Sequence, residues 1–291
     1  MCIRDSDSYI VSNVGIDSQG NAGNIDITTD SLSLTGGRIE TVVNRTSGGG
    51  IGSTVSPGKG NGGDITIKAR DIVITGAPFT LPIVGEGEKT FYSGSQINSS
   101  ISRGTTGIAG DINITADNNL TLSNKSSLSS VLDLGATGRG GNIEIIASSL
   151  SLDNGVRVRT TTYGKGEQNS NELTGNGGNI KITVTGKATI ARDSFIESNV
   201  ESGGKGNGGN IDLTANSLSL TGGSAITSLI KGTSVDGTIV IPPSEGNGGD
   251  ITINTHEITL DGFSEQSSTI SQINTSVYQD AIGKAGEINI K

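Results

Sequence analysis

Residues 204–226, Gly204-Lys205-Gly206-Asn207-Gly208-Gly209-Asn210-Ile211-Asp212-Leu213-Thr214-Ala215-Asn216-Ser217-Leu218-Ser219-Leu220-Thr221-Gly222-Gly223-Ser224-Ala225-Ile226, decide how this chain folds. Ile211 and Leu213 flank Asp212, and Leu218 and Leu220 flank Ser219. Alternation with a period of two sends one row of side chains inward and the other into water, the pattern of a half-buried strand. No 3.6-residue spacing of apolar positions is present and glycines interrupt both ends, so a helix is excluded. Gly222-Gly223 ends the second strand in a turn, where glycine supplies positive φ without steric cost. Ile226 then begins a third apolar position among Ser and Thr.

The opening of this block recurs eight times as Gly, a small polar or acidic residue, Ile, a polar residue, then Ile or Leu. Its first aliphatics are Ile25, Ile65, Ile112, Ile143, Ile180, Ile211, Ile251 and Ile288, spaced by 40, 47, 31, 37, 31, 40 and 37 residues. A second strand follows at Leu32/Leu34, Ile72/Ile74, Leu120/Leu122, Leu150/Leu152, Ala188/Ile190, Leu218/Leu220 and Ile258/Leu260. A third, weaker one carries Ile39, Ile97, Leu128, Val156/Val158, Ile196, Ile226 and Ile270. The strand portion keeps its length while the connection back to the next Gly varies, as in stacked repeats with protruding insertions.

One such unit cannot bury its own aliphatic face, but a stack of them can. The expected fold is all-β: a right-handed, single-stranded parallel β-helix of about eight coils, each of three short strands, with the eight Ile residues as an inward ladder. A propeller would need four strands and regular aromatics per repeat, whereas the chain has four Phe, four Tyr and no Trp. Residues 1–9, opening Met-Cys-Ile-Arg-Asp-Ser, do not follow the pattern and are expected to be a foreign or disordered prefix. Residues 10–291 form the repeat domain, with insertion loops near 76–95 and 230–247. The pattern begins mid-coil and stops after a first strand, as a fragment of a larger protein would.

Composition narrows the function classes. Gly numbers 46 and Pro 5 of 291 residues, together below the roughly 25–30% that marks low-complexity disorder. The net charge of −9, with 20 basic and 29 acidic residues in no basic cluster, argues against nucleic acid. No apolar run approaches the length of a membrane-spanning helix, so no membrane insertion is expected. The one Cys, Cys2, lies in the prefix, leaving no disulfide framework or thiol–metal chemistry.

Residues 204–226 resemble the repeat of filamentous-haemagglutinin-type exoproteins, most closely the large cyanobacterial members secreted by the two-partner pathway. The likeness runs from about Ile10 to Lys291, through the ordered Gly-Asn-Gly-Gly-Asn/Asp-Ile-x-Ile and Ser-Leu-x-Leu-x-Gly-Gly elements. It implies a secreted or cell-surface adhesin exported through an outer-membrane pore, with neighbouring cell surfaces or glycans as partners. None of the five Pro residues follows Asn, so the Asn-Pro-x-Gly motif usual in the secretion domain of such proteins is missing and the stretch corresponds to the repeat region.

The chemistry-bearing residues support the same reading. The column after the marker Gly holds Asn four times, Asp three times and Glu once. It reads as turn chemistry, since a calcium roll needs Gly-Gly-x-Gly-x-Asp every nine residues. His256, the only histidine, reads as a solvated turn residue without metal partners. Gly58-Lys59-Gly60-Asn61-Gly62-Gly63 leads into a strand rather than a helix N-terminus, so it is no phosphate cradle. Asp26, Glu144, Lys181 and Asp212 are outward but scattered, whereas a β-helical polysaccharide lyase or hydrolase, the rival reading, would bring outward carboxylates and basic groups together. No catalytic residue, metal or cofactor is expected, and the chain is read as a structural and adhesive segment rather than an enzyme. The best recognition candidates are Phe79, Phe91 and Tyr92 in the longest insertion, which either stack on a ligand or fold back as a satellite cluster. The loop Lys231–Gly246, with Pro242-Pro243, is a second candidate.

Overall fold

A computed structural model of the chain describes all residues except 5–7, 16–17, 44–58, 84–86, 103, 134–135, 164–174, 237–238, 242 and 265. Among the described residues the protein is all-β, without a helix. A twelve-stranded sheet and an eight-stranded sheet are parallel throughout, and four small two-stranded sheets accompany them. Parallel pairing always joins equivalent positions of successive repeats. Ile25 pairs with Ile65, Ile65 with Ile112, Ile112 with Ile143, Ile143 with Ile180, Ile180 with Ile211, Ile211 with Ile251 and Ile251 with Ile288. Six of these Ile residues are fully buried and Ile25 nearly so, while Ile288 is 41% exposed because no further strand covers it.

The second-strand aliphatics extend the same sheet. In four repeats the first two strands run on without a break, as Ile112–Ser123, Ile143–Asp153, Ile211–Thr221 and Ile251–Asp261. The separation expected from the sequence is there only a bend, marked between Ala116 and Asn119 by a register shift. The eight-stranded sheet stacks Tyr9–Val11, Arg38–Glu40, Gln96–Asn98, Ser127–Ser129, Arg157–Arg159, Phe195–Glu197, Ala225–Thr227 and Gln272–Asn274. One expectation fails here. Ile273, not Ile270, continues the column from Ile226. Ile270 instead pairs antiparallel with Phe263 in a small surface hairpin, 60% exposed. Three extra residues slip the register, and the alternation of a short strand reads equally well on either side of the slip.

The variable segment is also more regular than its lengths suggest. Val14, Val43, Ile101, Leu132, Thr162, Val200, Ile230 and Val277 form a further parallel ladder, and Val14, Val43, Ile101 and Leu132 pack into a second apolar cluster. The prefix takes part too: Cys2–Arg4 pairs in parallel with Ser33–Thr35.

The marker Gly is explained by close packing. A Cβ on Gly141 would lie 2.2 Å from the Gly110 carbonyl oxygen, and one on Gly209 would lie 2.0 Å from that of Gly178. Backbones stack there with no room for a side chain. Opposite this column runs a row of hydroxyls, buried in the middle repeats and less so at Ser12 and Thr275. Gly110, Gly141, Gly209 and Gly249 donate their N–H to Ser99, Ser130, Ser198 and Ser228, at 2.7–2.9 Å. Thr41, Thr160 and Thr275 instead donate to the carbonyls of Gly63, Gly178 and Gly286. Each corner thereby satisfies backbone groups that the sheet ladders leave over.

The residues after the marker Gly form a third column. Each side-chain oxygen accepts the backbone N–H of its successor, from Asn24 to Asp64, Asp111, Asn142, Asn179, Asn210, Asp250 and Glu287, at 2.7–3.0 Å. Asn and Asp serve alike because each offers an acceptor oxygen to the next N–H, and Asn142 also donates its amide to Asp111 at 3.1 Å.

Candidate functional site: a polar groove beside the second sheet

The aromatic insertion forms an antiparallel hairpin, Ala77–Ile83 against Gly87–Ser93. Phe79 and Phe91 face each other across it with ring centroids 5.7 Å apart and planes 24° apart, and Tyr92 stands opposite Pro78. Phe91 and Tyr92 are half-buried, while Phe79 and Leu81 are 44% and 48% exposed. The aromatic pair thus satisfies itself and leaves one face open. The second insertion carries a shorter hairpin, Ser234–Asp236 against Ile239–Ile241; Pro242 lies outside the described residues. His256 sits within the strand Ile251–Asp261, exposed. Among the described residues no three His, Cys, Asp or Glu side chains gather as a metal cage requires.

Elsewhere the expectation of scattered charge fails. Glu144 and Lys181, on adjacent repeats, are ion-paired at 2.9 Å on the open face of the large sheet. A denser cluster lies where the eight-stranded sheet turns into the following ladder. On each strand of that sheet the residues flanking the inward aliphatic point out: Gln96 and Asn98, Ser127 and Ser129, Arg157 and Arg159, Phe195 and Glu197. Beyond them come outward positions of the next ladder, among them Ser102, Asp133, Tyr163, Glu201, Lys231 and Tyr278. The two rows meet at a concave corner that runs along the stack of repeats.

Two depressions in this corner share Tyr163. One, of about 290 Å³, is lined by Gln96, Asn98, Ser127, Ser129, Arg159 and Tyr163 among others. The other, of about 400 Å³, is lined by Tyr163, Glu201, Ser202, Lys231, Tyr278 and Gln279 among others. Together they make a groove crossing several repeats.

Polar side chains around it are tied to one another. Arg157 reaches Glu197 on the next repeat at 2.6 Å and lies 4.9 Å over the Phe195 ring. Buried Asn199 accepts the Leu229 N–H at 2.9 Å and the Thr227 hydroxyl at 3.2 Å, and donates to Glu197 at 3.2 Å. Arg159 donates to the Ser129 hydroxyl at 3.2 Å. Lys231 Nζ lies 5.7 Å over the Tyr278 ring. Thr161 lies in register between Val131 and Asn199, and its buried hydroxyl has no partner among the described residues.

The electrostatics follow from this packing. Burial pushes the Glu201 carboxyl above its ordinary value; Lys231 opposes the rise and the Glu197 charge adds to it. Burial likewise raises the Tyr163 phenol, against the pull of Arg159. A desolvated carboxyl beside an ion-paired one, with an ammonium and two phenols at hand, can exchange several hydrogen bonds with a hydroxyl-bearing ligand.

Single-sequence reading missed this groove because its members come from six repeats. The available signal was the pair of positions flanking each third-strand aliphatic, which alternation sends outward once the columns are aligned. No family model, no curated protein and no solved structure matches this chain.

Proposed function

We propose that the chain is a right-handed parallel β-helix of about eight coils, serving as a stalk and adhesion segment of a large secreted or cell-surface bacterial exoprotein of the filamentous-haemagglutinin type. The observation that carries this reading is the unbroken register: one Ile column, one Gly–hydroxyl column and one Asn/Asp column continue through every repeat. Such a stack transmits position over distance and tolerates insertions at its edges, which is what a stalk needs. At about 4.8 Å per coil it is a rod of roughly 35–40 Å. Export is tested on source cells with an antibody to the chain and external protease. Surface signal that disappears when the outer-membrane pore partner is deleted is expected; protein confined to the cytoplasm would overturn the reading.

A carbohydrate-active enzyme is the second reading, and one observation favours it. Glu201, its carboxyl pKa raised by burial, stands within electrostatic reach of Glu197, which is ion-paired with Arg157. Two carboxyls in unlike environments are one requirement for acid–base cleavage of a glycosidic bond. Release of reducing or unsaturated sugar ends from polysaccharides, lost in Glu201→Gln, tests it; no release from any polymer removes it.

A further inference from the structure

We propose that the groove around Tyr163 binds an extended, uncharged glycan lying along the stack of repeats. Tyr163, Glu201, Lys231 and Tyr278 occupy one outward column on four successive repeats, in the register of Thr162, Val200, Ile230 and Val277. Three steps of about 4.8 Å separate the two tyrosines, about 14 Å along the stack. That span suits a short run of sugar rings, with a phenol ring at each end for their apolar faces.

Charge selects an uncharged ligand. In the lining, Arg159 and Lys231 stand against Asp133 and Glu201, and nearby Arg157 is ion-paired with Glu197 at 2.6 Å. The whole chain carries −9, which disfavours a polyanion. A peptide fits less well. Its usual anchors are an open strand edge or an apolar pocket, whereas the strand edges beneath the groove are paired between repeats. The walls offer amides, hydroxyls, guanidinium and carboxyls instead: Gln96, Asn98, Ser127, Arg159 and Glu201.

This goes beyond the stalk reading and does not depend on it. The test is calorimetric titration of the whole chain with cellohexaose, xylohexaose and mannohexaose, and with oligogalacturonate as the charged counterpart. Saturable binding of at least one uncharged hexasaccharide is expected. It should weaken at least tenfold in Tyr163→Ala and in Tyr278→Ala, and stay within threefold of the parent in Tyr163→Phe. Tyr278 is exposed, so its variant keeps the test valid if Tyr163→Ala fails to fold. No saturable binding of any uncharged probe, tighter binding of oligogalacturonate, or binding indifferent to Tyr278→Ala would overturn the proposal. A rod-shaped particle in small-angle scattering, with no sugar bound, would leave the stalk reading standing and remove only this one.

Discussion

Replacing Ser130 with Ala should open one corner of the stack without disturbing its apolar core. The Ser130 hydroxyl is fully buried. It accepts the Gly141 N–H at 2.9 Å and shares its own proton between the Ser99 and Gly110 carbonyls, each at 3.0 Å. Alanine removes about one atom's volume, so the packing loss is small. The Gly141 N–H, however, is left buried beside stacked glycine backbones where a replacement water has little room. An unsatisfied buried donor costs about 1–3 kcal/mol. Repeat proteins open locally rather than all at once, so the proper assay is hydrogen exchange at the Gly141 amide under native conditions. About 5- to 150-fold faster exchange is expected there, corresponding to that cost. Amides three repeats beyond Gly141, near Ile251, should change little. Ser130→Thr keeps the hydroxyl, as Thr41 and Thr160 do at equivalent corners, and should restore most of the protection. Exchange at Gly141 less than twofold faster in a folded Ser130→Ala protein would refute the reasoning.

Gly141→Ala places a Cβ 2.2 Å from a backbone oxygen of the preceding repeat; it should cost at least about 2 kcal/mol, and an unchanged urea midpoint would contradict the close-packing argument. Ile143→Asp buries an unpaired charge at a fully buried rung and should melt the neighbouring repeats, whereas Asp26→Ser at an exposed site should shift stability by no more than about 0.5 kcal/mol; similar melting curves for the two would sink the ladder model. Lys125 holds φ 63°, a left-handed conformation that costs a non-glycine residue about 1 kcal/mol, so Lys125→Gly should be neutral to stabilising by up to that amount in thermal melts.

Glu201 yields a pH prediction. Its folded-state pKa is raised above the ordinary 4.5, so the folded protein retains a proton that the unfolded chain has lost, and stability falls as pH climbs through that interval. Glu201→Gln should therefore match the parent in acid and melt higher at neutral pH; a variant less stable at neutral pH would show that Lys231 outweighs burial.

How much was legible beforehand follows from the range of each interaction. The sequence by itself determined the all-β class, the first two aliphatic columns and the glycine corners. Those signals are local: a period of two over five residues, and a Gly that leaves no space for a Cβ. Register over long separations was decided only in the tertiary structure. Ile273 displaced Ile270 because an intervening hairpin shifts the count, and nothing in the strand itself reports that shift. The ladder through Val14, Val43 and Thr162 was hidden because it shows one inward residue per repeat within segments of unequal length, and one of its rungs is polar. The groove was the least legible feature. Arg159, Tyr163, Glu201, Lys231 and Tyr278 are spread along the chain, and each reads alone as a solvated surface residue. Parallel stacking brings them side by side because it places equivalent residues of successive repeats one strand spacing apart, whatever the length of chain between them.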